Sequence, residues 1–393
     1  MELGHKEFDI SRDPNAVKVI SLIEEVPELL SAGRLAGEYL MRAKAAGYDV
    51  ADLRIMLGRS DSAMIYGMVA SVLAVKVAIS DCFATGNEHG VEIYPIFGGG
   101  VLPFRGHVSL DNFERLTSDF AGIRTVTVQS GLRYDCNSEA ARQVALKARD
   151  LLPGAPPLAF GTEQRNELTS LIGIFTKPYL ESFNDLLPVA IALSDLIPRQ
   201  RDRLARKSAV GYARAAAQPD KLSKEIGDEE IAAQIAAIKA TGATNLPRAI
   251  SFTGALYSIG LPPEFIGTGR GLAGVARRGG EEAVSRLLQL YPGMRADMAK
   301  AARYANMETV SQHLPESLVS QISTDMEEVS RHLGIGIGPS SADDRRYHVL
   351  LETLQPMMRQ FTAGSDEWSG RNDDRDLVTE WICRLGRIRG SLG

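Results

Sequence analysis

Cysteine is scarce in this 393-residue chain: Cys82, Cys136 and Cys383 are scattered and odd in number. That argues against a disulfide framework and for a reducing compartment. No CxxC pair or Cys/His cluster occurs, so no zinc site is expected. An excess of one charge is also missing, since 44 Lys plus Arg face 49 Asp plus Glu, a net charge of −5. Such a balance gives no support to nucleic-acid or anionic-membrane binding. Long apolar runs are absent too. The longest, residues 68–80, is broken by Lys76 and reads as too short to span a bilayer. The opening MELGHKEFDI has no basic segment followed by an apolar one, so no secretory signal is read there. The expectation is a soluble cytoplasmic protein of one large domain or two to three smaller ones.

What is present begins with a repeat. Four β-rich runs, VKVISL around Val19, LRIML around Ile55, VEIYPIF around Ile93 and RTVTV around Val126, recur at intervals of 36, 38 and 33 residues. Between them, 28–46, 64–83 and 110–120 have helical apolar spacing. Near-continuous Val, Ile and Leu runs alternating with helices predict a parallel sheet covered on both faces, as in a barrel or a doubly wound fold. Each run ends in polar groups: Glu24 and Glu25, Arg59 and Asp61, a glycine triplet with Arg105, and Gln129 with Arg133. Parallel α/β folds bind ligands at the C-terminal strand ends. Taken singly these charges read as helix caps and turn residues; four in succession read as one site assembled from separate loops.

The remainder is mainly helical. Residues 151–157 are Pro/Gly-rich and read as a turn or linker. Helical spacing covers 162–196, 220–240, 282–307 and 341–360. Residues 245–263 contain LPRAISFTGALYSIGLPP, which reads as a fifth strand near 245–255 running into a proline-stopped loop. The expected organisation is therefore βα units carrying the site in 1–150, and a helical portion with one last strand in 151–393.

Gly98, Gly99 and Gly100, followed by LPFRGH, come directly after a predicted strand. Glycines let backbone N–H groups approach an anion, and arginine offers a forked donor for phosphate or carboxylate. The segment is neither GxGxxG nor a P-loop, because no GK[ST] follows. Alone it reads equally well as a glycine turn.

Taken together, SLIEEVPELL, IMLGRSDSAMIYG, YPIFGGGVLPFRGHVS, TVTVQSGLRYD and LPRAISFTGALYSIGLPPEFIGTGRGL stand in the order found in phosphoenolpyruvate carboxylases. LPFRGH, the RYD ending and the closing RLGRIRGSLG resemble the short archaeal-type branch. The resemblance implies a (β/α)8 TIM-type barrel with a large α-helical C-terminal portion. It implies a carboxy-lyase converting phosphoenolpyruvate and bicarbonate to oxaloacetate and phosphate, through carboxyphosphate and an enolate stabilised by Mg2+ (or Mn2+). By the same resemblance Glu24, with Glu25 the adjacent alternative, and Asp61 are the metal ligands. Arg105 is the arginine of a mobile glycine-rich loop spanning Gly98, Gly99 and Gly100, and Arg248 contacts substrate phosphate. A further arginine is expected in PRQRDRLAR, with Arg203 chosen over Arg201. Gln129 and Arg133 are substrate-contact candidates, although Arg133 could instead pair with Asp135. Two carboxylates at neighbouring strand ends suit an octahedral oxygen-ligated ion. A homotetramer is implied as well.

The chain departs from the family pattern in one respect. The histidine motif ending in TQHPDN, which supplies the base, does not occur; His5 lies in LGHKEF, and His107 reads as a surface or loop histidine. Five strands also fall three short of a closed barrel. The expectation is thus an incomplete barrel, either a truncated product, half of a split enzyme, or a shortened paralogue or assembly subunit that binds without turnover.

Overall fold

The computed structural model describes residues 18–198, 216–239, 246–362 and 372–393. Its sheet has four parallel strands in the order β1-β2-β3-β4: Ser21–Ile23 (β1), Asp52–Gly58 (β2), Glu92–Gly98 (β3) and Thr125–Val126 (β4). Each arises from one of the four recurring apolar runs. The two inner strands are the longest, because they alone are paired on both sides. At the β1 edge Val19, Ile20 and Leu22 stay about half exposed.

Between β2 and β3 run the helices Ser60–Tyr66 and Met68–His89. The second is the core of the molecule: nearly every residue from Met68 to Ser80 is buried, Lys76 included. It continues well beyond the apolar run, to a left-handed Gly90 that stops it. By length and composition it could cross a membrane, contrary to the expectation from the short run. However, 78% of its apolar window is buried inside the protein, as in the core helix of a packed domain.

The second half is helical. Thr162–Ser194 spans 33 residues with Pro178 and Pro188 inside, and packs on both Met68–His89 and Thr268–Leu290. The helix expected over 220–240 is two helices among the described residues, Pro219–Glu225 and Glu229–Ala236, because Asp228 caps a new helix by accepting from the Ile231 N–H at 3.1 Å. Ala342–Thr362 lies where spacing placed a helix.

The fifth strand is a correction: Ala249–Tyr257 is an α-helix, with Arg248 as its extended N-cap. The segment is buried on almost all sides, so its apolar residues carry no helical period. Small residues (Ala249, Ser251, Gly254 and Ala255) let neighbouring backbone close in, and Thr253 Oγ1 donates back to the Ala249 carbonyl at 2.7 Å. The described residues therefore contain four strands, and these do not close into a barrel.

Candidate functional site

All four strands end at one level. Ile23 is paired with Leu57, which sets Glu24 beside Gly58; Gly58 is paired with Gly98. The Thr127 N–H donates to the Phe97 carbonyl at 3.1 Å and carries the row onto β4. Glu24 is packed so closely on Gly58 that a Cβ there would lie 2.6 Å from the Glu24 Cβ. Gly58→Ala should therefore cost about 1–3 kcal/mol through overpacking, measured by urea unfolding. An unchanged midpoint would mean that Glu24 is not held against the strand.

The two glutamates differ in their surroundings. Glu25 begins the helix Val26–Leu30 and accepts from Gln218 Nε2 at 2.8 Å, and burial raises its carboxyl pKa. Glu24 faces the end of β2. Asp61 follows Arg59 and Ser60 in the first turn of Ser60–Tyr66, where an acid is favoured by the helix dipole. Glu24 and Asp61 thus stand at adjacent strand ends. Among the described residues no cluster of three or more potential metal ligands occurs. A pair of carboxylates is the donor set expected of Mg2+, which keeps waters and substrate oxygens in its other octahedral positions, so these residues fit such an ion.

After β3 the chain forms a tight loop closed by its own backbone. The Gly100 N–H donates to the Arg105 carbonyl at 2.7 Å, and Val108 N–H to the Gly100 carbonyl at 2.8 Å. The Gly99 N–H donates to Thr127 Oγ1 at 3.2 Å. The amides of Gly99 and Gly100 are thus engaged within the protein. The observed work of the glycines is to make room: a Cβ on Gly100 would meet the Arg105 Cζ at 3.0 Å.

Arg105 ends the 3-10 turn Pro103–Arg105 and is 6% exposed. Its Nη1 donates to the Gly393 main-chain oxygen and its Nη2 to Gln129 Oε1, both at 2.6 Å; Nε has no partner. Burial pushes the guanidinium pKa down to about 10, against the pull of Asp61. Arg105 is therefore still a cation at neutral pH. Arg248 and Asp135 are the other charges that act on it.

Of the residues singled out in the sequence, Asp61, Arg105, Gln129 and Arg248 are gathered by direct contact or electrostatic reach. Arg133 is exposed and lies over the Tyr134 ring, 5.1 Å from its centroid. Arg203 and its rival Arg201 lie outside the described residues. His107 lies in a loop, as read from the sequence, but not at the surface. It is buried, with a positive φ of 56°, and its Nδ1 lies 2.5 Å from Asp297 Oδ1. Burial lowers its pKa despite that carboxylate.

Sequence reasoning missed the closing residues 391–393. Leu392 N–H donates to Asp135 Oδ2 at 2.9 Å, and buried Arg389 donates to the Ser391 and Leu392 carbonyls at 3.1 and 2.6 Å. Gly254 leaves space for this tail, since a Cβ there would be 2.8 Å from the Leu392 oxygen. It also missed Glu264, wholly buried and hydrogen-bonded to the Phe104 N–H at 2.9 Å. A lone acid inside the apolar LPPEFIG was the available signal.

Comparison with known proteins adds an independent finding. A family model described as phosphoenolpyruvate carboxylase matches residues 2–393. The chain is 38% identical over 394 residues to the phosphoenolpyruvate carboxylase of Methanopyrus kandleri, covering 99% of this chain and 72% of that protein. It is 37% identical over 398 residues to that of Methanosarcina mazei, covering 100% and 73%. With that of Metallosphaera sedula it shares 32% identity over 354 residues, covering 88% and 62%.

Proposed function

This chain belongs to the archaeal-type phosphoenolpyruvate carboxylase family, a family of carboxy-lyases, and on that footing we propose that its four-strand rim carries the carboxylation site. The reaction is phosphoenolpyruvate plus bicarbonate to oxaloacetate plus phosphate. The observation that carries this reading is the buried Arg105 at the strand ends, with Asp61 and Arg248 among the charges that act on it.

In this reading Arg105 and Arg248 bind the anionic substrates and stabilise charge as the phosphoryl group passes from the enol oxygen to bicarbonate. A cation seated in a site of low dielectric does this far better than one in water. Gln129 and the Gly393 oxygen fix the guanidinium plane. Gly98, Gly99 and Gly100 shape its seat, and Arg133 waits at the outer rim of the substrate path. Glu24 and Asp61 would hold Mg2+ or Mn2+, which would supply Lewis-acid neutralisation of the phosphate and enolate oxygens. Arg203 belongs to the same anion clamp by family resemblance. The four described βα units are part of an incomplete TIM-type barrel, and the described helices from Thr162 onward form a second portion; the assembly is a cytoplasmic homotetramer.

The test is a coupled assay of oxaloacetate formation from phosphoenolpyruvate, bicarbonate and Mg2+, run beside Asp61→Ala. Activity that depends on metal and bicarbonate, and falls at least about a hundredfold in the variant, is expected for loss of a ligand that places the charge. Equal activity in Asp61→Ala would sink the assignment. Metal-dependent binding of phosphoenolpyruvate with no product would favour the rival, a family member that binds without turnover.

A further inference from the structure

The arginine loop does not set its own position. Phe104, which precedes Arg105, has both of its main-chain polar groups held from outside the loop. Its N–H donates to Glu264 Oε1 at 2.9 Å, and its carbonyl accepts from Arg59 Nη1 at 3.2 Å. These two bonds fix the peptides on either side of Phe104, and with them the direction in which Arg105 leaves the turn.

Glu264 reaches a second element as well. The same Oε1 accepts from the Tyr257 hydroxyl at 2.9 Å. Tyr257 is the last residue of the helix Ala249–Tyr257, whose N-cap is Arg248. The rings of Phe104 and Phe252 lie 5.9 Å apart, so the loop and this helix also meet through their side chains. A single carboxylate oxygen therefore ties together the two elements that carry Arg105 and Arg248.

Packing alone gives no reason for an acid here. Glu264 is wholly buried and its Oε2 has no hydrogen-bond partner. Burial raises its pKa to about 7. Arg59 is equally buried, with Nε and Nη2 unpartnered. Buried charged groups with unmet valences are destabilising, and they concentrate where function needs them.

We infer that Glu264 is a positioning residue: it holds Arg105 and Arg248 in fixed relation by bridging the Phe104 N–H and the Tyr257 hydroxyl, while Arg59 grips the Phe104 carbonyl from the opposite side. The inference rests on the reading of Arg105 and Arg248 as an anion clamp. Glu264→Gln keeps an acceptor oxygen for both bonds; Glu264→Leu keeps the bulk and removes both.

Two readouts on the full chain test it: amide hydrogen exchange across 99–108, and calorimetric affinity for phosphoenolpyruvate with Mg2+. Glu264→Leu should speed exchange across 99–108 and weaken binding, each by about tenfold, the factor for one lost hydrogen bond to a charged group. Exchange in the helix Met68–His89 should not change, and Glu264→Gln should restore both readouts to within about threefold. Exchange that rises equally in that core helix, or not at all, would reduce Glu264 to a packing residue and overturn the inference. So would affinity that is unchanged in Glu264→Leu yet lost in Arg105→Ala. Affinity unchanged in both variants would remove the anion-clamp reading, and the inference with it.

Discussion

Arg105→Ala should lower oxaloacetate formation by about a hundred- to a thousandfold, the usual consequence of deleting one preorganised donor that faces developing charge. The seat of this side chain is shaped for a planar fork: one arm meets the Gly393 oxygen, the other Gln129 Oε1, each at 2.6 Å. Gly100 lies against the guanidinium carbon, where a Cβ would come within 3.0 Å of it. Lysine carries the charge as a compact point and cannot hold that two-armed geometry, so Arg105→Lys should recover little of the loss. The size of the effect follows from burial. A cation at the surface is screened, whereas this one is almost entirely removed from water and keeps its proton at neutral pH. Steady-state rates at saturating bicarbonate, with the thermal midpoint taken alongside, separate this from unfolding. Activity within a few-fold of the parent in a folded Arg105→Ala protein would move the chemistry away from this loop.

Where the sequence could be read, the reason is that local pattern and final environment agree. The four apolar runs became parallel strands, but with one face covered rather than both: in β2, Leu53, Ile55 and Leu57 are buried while Arg54 between them is exposed. The polar residues at their ends came out level, Glu24 beside Gly58 and Gly58 opposite Gly98, because parallel register aligns the C-terminal ends. The segment 249–257 misled because its apolar run resembles those of the strands. Burial all round erases the helical period, and only the small residues and Thr253 reveal the helix. His107 and Glu264 could not be placed at all from local pattern. Their partners, Asp297 and Phe104, lie 190 and 160 residues away in the chain. The closing tail falls in the same class, since Arg105 meets Gly393 across 288 residues. Distances of that kind are set by how helices pack, and no periodicity carries them.

Asp325→Ala should be among the most destabilising single changes in the helical half, costing about 3–5 kcal/mol because it strands a desolvated arginine. Asp325 is wholly buried and accepts four bonds: from the Gly267 and Arg270 N–H groups, both at 2.8 Å, and from Arg270 Nε at 3.1 Å and Nη2 at 2.9 Å. It therefore satisfies the opening amides of the helix Thr268–Leu290 and neutralises its first arginine together. Gly269 is pressed against the same residue, where a Cβ would lie 2.0 Å from the Asp325 oxygen, so the site has no slack to rearrange. Arg270 also donates to Ser182 Oγ and the Pro178 carbonyl, at 2.6 and 3.1 Å, and these bonds hold it in place when its carboxylate is gone. Urea unfolding of Asp325→Ala, Arg270→Met and the double variant forms the decisive cycle. The double variant should be more stable than Asp325→Ala alone, because no uncompensated charge remains, leaving a coupling energy of about 1–3 kcal/mol. Additive losses would mean that the pair contributes nothing beyond its separate packing, and that the helix is held by its apolar face alone.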